Sequence, residues 1–339
     1  EAGGTNNVAI GSISGTAITT GDGNVAVGFE SLKTNTTASN NTAVGLCSMA
    51  LNTSGTLNVS VGMTALKSNT TGSCNTAIGG LALNANTTGE YNTGVGSCAL
   101  KANTTGGAST SVGWQSMVSN TTGHSSIAMG YRALCANTTG CYNVGLGREA
   151  AKSNTTGCCN VAVGYQSLCT NTTGGQNTAI GTCALITNTA GEQNVAIGIN
   201  AMQDNTTADN NTAVGFRAMD KNTTGTANVG IGHDTLRCNT TSDNNTAVGV
   251  QALCKNTGAS NTAIGKSALT ANTTGSSNVA LGNSMESNTT GGNNVAVGNG
   301  ALQANTTASC NTAIGRLALK TNTTGADNTA VGRGALFSS

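Results

Sequence analysis

The 339-residue chain carries 14 Lys and Arg against 13 Asp and Glu, a formal net charge of +1, and shows no basic cluster that would support nucleic-acid binding. Proline is absent, charged residues make up 8% and aromatic residues 2% of the chain, values far below ordinary globular usage. No apolar run approaches the roughly 18 residues of a membrane-spanning helix, so the sequence predicts no membrane span.

One glycine recurs every 17 residues, and only two of the steps are shorter, each by one residue. A fixed period of this size indicates one small structural unit stacked on itself as a solenoid. The glycines of the series are Gly11, Gly28, Gly45, Gly62, Gly79, Gly96, Gly113, Gly130, Gly147, Gly164, Gly181, Gly198, Gly215, Gly232, Gly249, Gly265, Gly282, Gly298, Gly315 and Gly332.

The repeat unit is numbered here from the residue four before this glycine, so that the glycine is position 5. Its consensus is N-[TV]-A-[VI]-G-x-x-A-L-x-x-N-T-T-G-x-x, as in residues 177–193. Positions 2 to 4 predict a short strand with the branched residues at positions 2 and 4 facing inward and the small residue at position 3 facing outward. A second strand is predicted over positions 9 to 13, with positions 9, 11 and 13 inside and positions 10 and 12 outside.

These patterns predict an all-β fold: a parallel β-solenoid, or β-roll, of about 20 coils with two short strands per coil. A helix is the weaker interpretation, because one leucine per repeat cannot form an apolar helical stripe and Thr-Thr pairs disfavour helix. The array covers residues 1–339 without a separate globular domain. Twenty coils at the usual strand spacing would form a rod about 95 Å long.

The two ends of the sequence fall at the same point of the repeat, since Glu1 and Ser339 both occupy position 12. This phase predicts head-to-tail continuation into another copy, or a segment of a longer solenoid. Capping segments outside the sequence are the alternative. Laterally, the outward column of Ala, Ser and Gly at position 3 predicts close contact with other copies, as a homotrimer or a bundle. The alternative is that positions 2 and 4 face out and position 3 faces a tight interior.

The N-[TV]-A-[VI]-G-x-x-A-L motif, seen at Asn24–Gly28 and Asn194–Gly198, resembles the head repeats of trimeric autotransporter adhesins. The whole array also resembles NTAIG/NTTG repeat arrays of phage and viral fibre proteins. The first resemblance implies a left-handed parallel β-roll, and together they imply an extracellular fibre and favour a trimer. The adhesin repeat is shorter by the length that NTTG fills here.

An N-glycosylation sequon recurs at position 12, which the alternation predicts to face outward. Glycans on one Asn per coil would sheathe the rod, whereas structural Asn and Thr ladders are the alternative. Further sequons occur at Asn40, Asn58, Asn210 and Asn244. The position-12 candidates are Asn35, Asn52, Asn69, Asn86, Asn103, Asn120, Asn137, Asn154, Asn171, Asn205, Asn222, Asn239, Asn272, Asn288, Asn305 and Asn322.

The 12 cysteines include no C-x-x-C motif, so the sequence predicts neither a zinc nor a thiol redox site. Stacking would bring Cys141 beside Cys158 and Cys238 beside Cys254, within reach of a disulfide. Substitution of cysteine as a small residue in variable columns is the alternative.

Nothing in the sequence indicates catalysis: His124 and His233 lie at unrelated repeat positions, and acidic residues fall in variable columns. We therefore expect no enzyme and no catalytic, cofactor or metal site. The sequence predicts a structural protein that forms the shaft of an extracellular fibre on a cell or virion surface. Its predicted partners are other copies of the same chain. A receptor-binding fibre or adhesin is the alternative. An ice-binding solenoid is less favoured, because adjacent Thr residues point to opposite faces.

Overall fold

The computed structural model describes residues 3–337, which fall into two compact units. The first unit ends at Thr173 and the second begins at Gly174. Every coil contributes one three-residue strand. The first unit holds β1 (Val8–Ile10), β2 (Val25–Val27), β3 (Thr42–Val44), β4 (Val59–Val61), β5 (Thr76–Ile78), β6 (Thr93–Val95), β7 (Thr110–Val112), β8 (Ile127–Met129), β9 (Val144–Leu146) and β10 (Val161–Val163). The second unit holds β11 (Thr178–Ile180), β12 (Val195–Ile197), β13 (Thr212–Val214), β14 (Val229–Ile231), β15 (Thr246–Val248), β16 (Thr262–Ile264), β17 (Val279–Leu281), β18 (Val295–Val297), β19 (Thr312–Ile314) and β20 (Thr329–Val331).

Within each unit, every strand pairs in parallel with the strand of the next coil, and residues of equal repeat position lie side by side. Val25 pairs with Thr42, for example, and Val27 with Val44. The two shortened coils keep this register, since Thr246 still pairs with Thr262 and Val279 with Val295. The missing residues are therefore absorbed in the turns. The predicted all-β parallel solenoid of about 20 coils is confirmed.

Each coil has one strand instead of the predicted two, because its second half is built from turns. Positions 7 and 9 adopt left-handed backbone conformations, as at Glu30 (φ 56°) and Leu32 (φ 48°). Residues other than glycine rarely adopt this conformation. Two left-handed residues separated by a single residue turn the chain back on itself. The leucine side chain then points inward, and Leu32 is fully buried. The prediction that position 9 belongs to the core is confirmed.

The orientation predicted for the strand is wrong: position 3 faces inward and positions 2 and 4 face outward. Ala26 is fully buried, whereas Val25 and Val27 on either side of it are partly exposed. The interior is narrow, since a Cβ added at Gly94 would lie 3.4 Å from Cγ of Leu83 in the preceding coil. Only a small side chain fits beside the leucine, so the branched residues point out. The lateral interface predicted through the Ala/Ser/Gly column is therefore corrected, because that column is inside the coil.

The alternation predicted for positions 10 to 13 is wrong as well, because these residues do not form a strand. Position 12 is buried, as at Asn69, whereas the neighbouring Thr70 and Ser68 are partly exposed. The core thus consists of a leucine or methionine, small residues and asparagines. Within residues 3–337 there is no apolar helix of bilayer-spanning length.

Candidate functional site

Two columns of buried asparagine are present in each unit, one at position 12 and one at position 1, although Ser109 and Ser126 replace the position-1 asparagine in two coils of the first unit. At position 12, the Nδ2 of Asn69 donates to Oδ1 of Asn52 in the preceding coil at 2.8 Å. The same Nδ2 donates to the carbonyl oxygen of Gly72 at 2.8 Å. The side chain therefore links coils and closes the NTTG turn at once. The structural asparagine ladder, which the sequence left open as an alternative, is confirmed.

The column at position 1 meets the column at position 12 on a shared acceptor. The Nδ2 of Asn58 donates to the carbonyl oxygen of Gly72 at 2.9 Å, so this carbonyl accepts from both columns. The Oδ1 of Asn58 accepts the backbone N–H of Asn75 in the next coil at 2.9 Å. Buried amides satisfied in this way stabilise the stack, whereas unpaired ones would destabilise it. The position-1 ladder was not predicted, although the consensus asparagine at that position is a visible signal.

The shortened coil that begins at Asn245 interrupts the position-12 ladder. Asn239 still donates to Oδ1 of Asn222 at 3.0 Å and to the carbonyl oxygen of Ser242 at 2.9 Å. Its own Oδ1 is buried without a hydrogen-bond partner. The Nδ2 of Asn256, in the next coil, instead donates to the carbonyl oxygen of Gly258 at 2.7 Å. The missing residue in this turn thus costs one link between coils.

The structure places the 16 position-12 sequons in the interior. Their asparagine side chains are buried, as shown by Asn35, Asn103, Asn171, Asn239 and Asn322, none of which is more than 2% exposed. A glycan on Nδ2 would have to replace the hydrogen bonds of the ladder. The outward orientation on which the glycosylation prediction depended is therefore wrong, while occupancy itself stays a prediction.

The additional sequons differ from one another in exposure. Asn58 is fully buried in the position-1 ladder. Asn40, Asn210 and Asn244 occupy position 17 and are exposed. Each has a left-handed backbone, with φ between 58° and 60°, and stands at the corner before the strand. These three amides can carry a glycan without disturbing the core.

The four predicted disulfide cysteines lie in neighbouring coils as free thiols. The Sγ of Cys158 accepts the backbone N–H of Cys141 at 3.2 Å, which confirms their stacking. The backbone N–H of Cys238 donates to the carbonyl oxygen of Cys254 at 2.9 Å. Burial raises the pKa of the Cys254 thiol, and the neighbouring Cys238 raises it further. The disulfides themselves stay predictions.

The outward residues of the strands form an apolar surface. We define the outer sheet face as the first and third residues of β1–β10 together with the position-6 residues of the same coils. Every strand residue on this face is uncharged, and within residues 8–165 Arg148 carries the only charge of the face. Its bulkiest exposed side chains are Phe29, Leu46, Met63, Trp114, Tyr131 and Tyr165.

Three aromatic rings and one guanidinium follow one another along this face at position 6. Trp114 stacks on Tyr131 with ring centroids 5.1 Å apart and planes 14° from parallel. Arg148 continues the column, its guanidinium carbon 5.5 Å from the ring centroid of Tyr131 and 5.8 Å from that of Tyr165. Within any single coil these side chains are isolated corner residues, because a ladder of this kind arises only from stacking.

An open groove of about 380 Å³ is lined by residues of positions 14, 16 and 17, in the turn that precedes the strand of the next coil. Small residues at Gly107 and Ala108 create it between bulkier neighbours. His124 packs edge-on against Tyr142, with ring centroids 5.1 Å apart. The residues lining the groove are Thr88, Glu90, Tyr91, Thr105, Gly107, Ala108, His124 and Ser125. Hydroxyls, one carboxylate and an exposed phenol ring are groups that suit polar, hydroxylated ligands.

No group of three or more His, Cys, Asp or Glu side chains in the described part of the chain is arranged to hold a metal ion. His233 stacks on Phe216 with centroids 5.2 Å apart, and its Nδ1 lies 3.2 Å from a carboxylate oxygen of the adjacent Asp234. His124 instead lines the groove of the first unit. The two histidines therefore belong to different units, each in a setting of its own.

The Glu149 carboxyl is held in its ionised form between two coils. The Nε2 of Gln166, one coil further on, donates to it at 2.8 Å, and the Nζ of Lys152 lies 3.6 Å away. The hydrogen bond from Gln166 lowers the pKa of this carboxyl, and Lys152 lowers it further. The Glu149 side chain is largely buried, and with these partners it links one coil to the next.

No protein-family model matches the chain, and no curated protein matches it significantly. The assignment of function consequently depends on the geometry of the coils.

Proposed function

We propose that this chain is a structural protein that forms the shaft of an extracellular fibre. The observation that carries the proposal is the repetition of one set of contacts in coil after coil. Each strand pairs in equal register, and buried asparagines link one coil to the next. A repetitive β-solenoid of this kind serves an extended scaffold, in which each unit contacts only its neighbours.

Axial growth follows from the same geometry. At position 5, a Cβ added to Gly79 would lie 2.7 Å from the carbonyl oxygen of Gly96 in the next coil, so adjacent coils fit closely there. The same close approach recurs between Gly28 and Gly45 and between Gly181 and Gly198, so one kind of backbone contact joins coil to coil. We propose continuous stacking along the shaft as its mode of assembly.

The resemblance to autotransporter head repeats and viral fibre arrays supports a location outside the cell or on a virion. The outward asparagines of the position-17 sequons support attachment of sparse glycans there. We assign the chain no catalytic role, because its acidic residues and histidines fall in variable columns of the repeat. We place its partners among copies of itself.

An adhesin or receptor-binding fibre is the second candidate, and the groove around Tyr91 favours it. Tyr91 is 65% exposed, and a carboxylate at Glu90 and the hydroxyl of Thr105 lie at the same groove. Exposed aromatic rings beside hydrogen-bonding groups suit a carbohydrate. Binding of the chain to a glycan array, with Tyr91→Ala as the variant, tests this candidate: saturable binding that the substitution abolishes supports it.

Electron microscopy of material isolated from its native source tests the shaft directly. Continuous filaments much longer than about 95 Å, with an axial repeat near 4.8 Å, are the expected result. Discrete short particles would contradict the shaft and direct attention to the groove.

A further inference from the structure

We propose that the outer sheet face of the first unit is an interaction surface for a second copy of this chain. The proposal rests on the proposed function, because lateral contacts of this kind would bundle shafts. It replaces the interface through the position-3 column, which is buried. The composition of the face, its anchor residues and its area all favour this occupant.

The face is largely apolar, with rows of Val and Ile interrupted by Thr, and it is left in solvent. Ile78 is 41% exposed, Ile127 43% and Met129 46%. Soluble monomers rarely expose contiguous apolar patches larger than a few hundred Å², and larger ones mark interaction sites. A sheet that faces water on one side normally carries polar residues there. Here threonine is the most polar residue that the strands place outward.

The column of Trp114, Tyr131, Arg148 and Tyr165 beside the strands supplies anchor residues. Trp, Tyr and Arg are the residue types that dominate the binding energy of protein interfaces. Here they are stacked on one another and therefore held rigid, so little side-chain freedom remains to be lost on binding. Arg148 is sandwiched between two phenol rings, and its charge does not prevent apolar contact on either side.

The area of the face matches that of a dimer interface. Ten strands spaced about 4.8 Å apart, with a width of about 15 Å, make a face of about 700 Å². A stable interface buries about 800 Å² on each partner, so the face of one unit has the size that a specific dimer needs. A second copy is the partner that matches it, because two identical, largely apolar faces can bury each other in one isologous contact. Stacked sheets pack about 10 Å apart, which the short Val and Thr side chains permit.

The test uses the whole chain produced in a bacterial host, in which the thiols are kept reduced and no N-glycans are added. Sedimentation equilibrium across a wide concentration range measures association. Trp114 is the sole tryptophan, so its emission reports directly on the face. We expect reversible association accompanied by a shift of the emission to shorter wavelength. End-to-end stacking alone would leave Trp114 in solvent and its emission unchanged.

The variant V95K/V112K places two lysines at the centre of the face, and we expect it to weaken association at least tenfold. The matched control T139K/T156K adds the same charges at exposed position-14 sites away from the face and should associate as the unmodified chain does. Circular dichroism checks that both variants keep the fold. Equal weakening by both variants would overturn the proposal, since charge and not the face would then be responsible.

Two further outcomes would overturn the proposal. One is a chain that remains monomeric, or whose Trp114 emission does not shift on association. The other is thermal hysteresis by the monomer, which would assign the outward Thr and Val rows to ice. Electron microscopy of native material distinguishes the failure of this proposal from the failure of the fibre proposal. Single, unbundled filaments would overturn the lateral contact alone, whereas short particles would overturn the shaft.

Discussion

At the scale of the residue, the position-5 glycine is constrained both by its own backbone conformation and by the neighbouring coil. Gly79 has φ of +127°, and a Cβ there would lie 2.7 Å from backbone atoms of Gly96. A residue other than glycine that is forced to a positive φ of this kind costs about 1–3 kcal/mol, and the overlap of its Cβ with the backbone of the next coil adds to this cost. We expect Gly79→Ala to lower the free energy of unfolding by at least that amount.

The adjacent glycine supplies a matched control for this substitution. A Cβ at Gly80 would meet nothing within 4 Å. Gly80→Ala should therefore leave the free energy of unfolding, measured by urea denaturation, within about 0.5 kcal/mol of that of the unmodified chain, as is usual for surface changes. Equal effects of the two substitutions would show that the close approach of coils at position 5 is not what requires glycine.

Burial also decides which sequons can be occupied in the folded chain. We expect chain secreted from a eukaryotic host to carry N-glycans at Asn40, Asn210 and Asn244, whose side chains are exposed to solvent. Position-12 asparagines such as Asn69 should be unmodified, because their Nδ2 atoms are committed to the ladder. Mass spectrometry of peptides after enzymatic deglycosylation in heavy-oxygen water measures both sets. Full occupancy at Asn69 in folded chain would contradict the buried ladder.

At the scale of the element, the strand shows why its orientation could not be derived from sequence. The alternation of branched and small residues over three positions is compatible with either face being inside. Burial preferences favour the branched residues in the core, but Leu83 already fills the interior beside Gly94. The left-handed turn at positions 7 and 9 directs the leucine inward, but it contains no glycine that would indicate it in the sequence. The strand and its period were predictable, whereas the side of the strand that faces the core depended on that turn.

The features of the candidate site likewise divide into those that the sequence could predict and those that it could not. The asparagine ladder could be inferred from its period, since identical residues stack in a solenoid. The same period places Trp114, Tyr131 and Arg148 on successive coils, but their exposure on the outer side of the coil is known only from the structure. The groove depends on the absence of a side chain at Gly107, and its neighbours come from three coils.

The ladder itself yields a prediction about the energy of one link. Asn103 donates to Oδ1 of Asn86 at 2.8 Å and to the carbonyl oxygen of Gly106 at 2.9 Å, and it accepts from Asn120 at 2.8 Å. Asn103→Ala removes all three of these buried hydrogen bonds. We expect a loss of about 2–5 kcal/mol in the free energy of unfolding, measured by urea denaturation.

Asn239 provides the control, because its Oδ1 already lacks a partner. Asn239→Ala removes one hydrogen bond fewer than Asn103→Ala and should be less destabilising. If the two substitutions cost the same, the hydrogen bond that Asn103 accepts from Asn120 contributes little to stability.

At the scale of the molecule, equal register at the pairings within each unit makes each coil interchangeable with its neighbours. The shortened coils show this naturally, since β15 and β16 still pair residue for residue across a step of 16. Stability in such an array is a sum of units and of contacts between nearest neighbours. Loss of a whole coil should then leave the remaining pairings as they are.

This interchangeability can be tested by deletion in the first unit. Removal of residues 75–91 takes out one complete coil and joins position 17 at Cys74 to position 1 at Asn92, so β4 would pair with β6 through the same ladder. We expect an unchanged circular dichroism spectrum per residue and a melting temperature lowered by a few degrees at most. Removal of residues 75–83 deletes about half a coil and brings Asn84 to position 1. That change puts polar residues into core positions and apolar residues into outward positions at the junction between the coils. This shorter deletion should therefore be the more destabilising one. If it were tolerated as well as the full-coil deletion, the register of the asparagine and leucine columns would not be what holds the coils together.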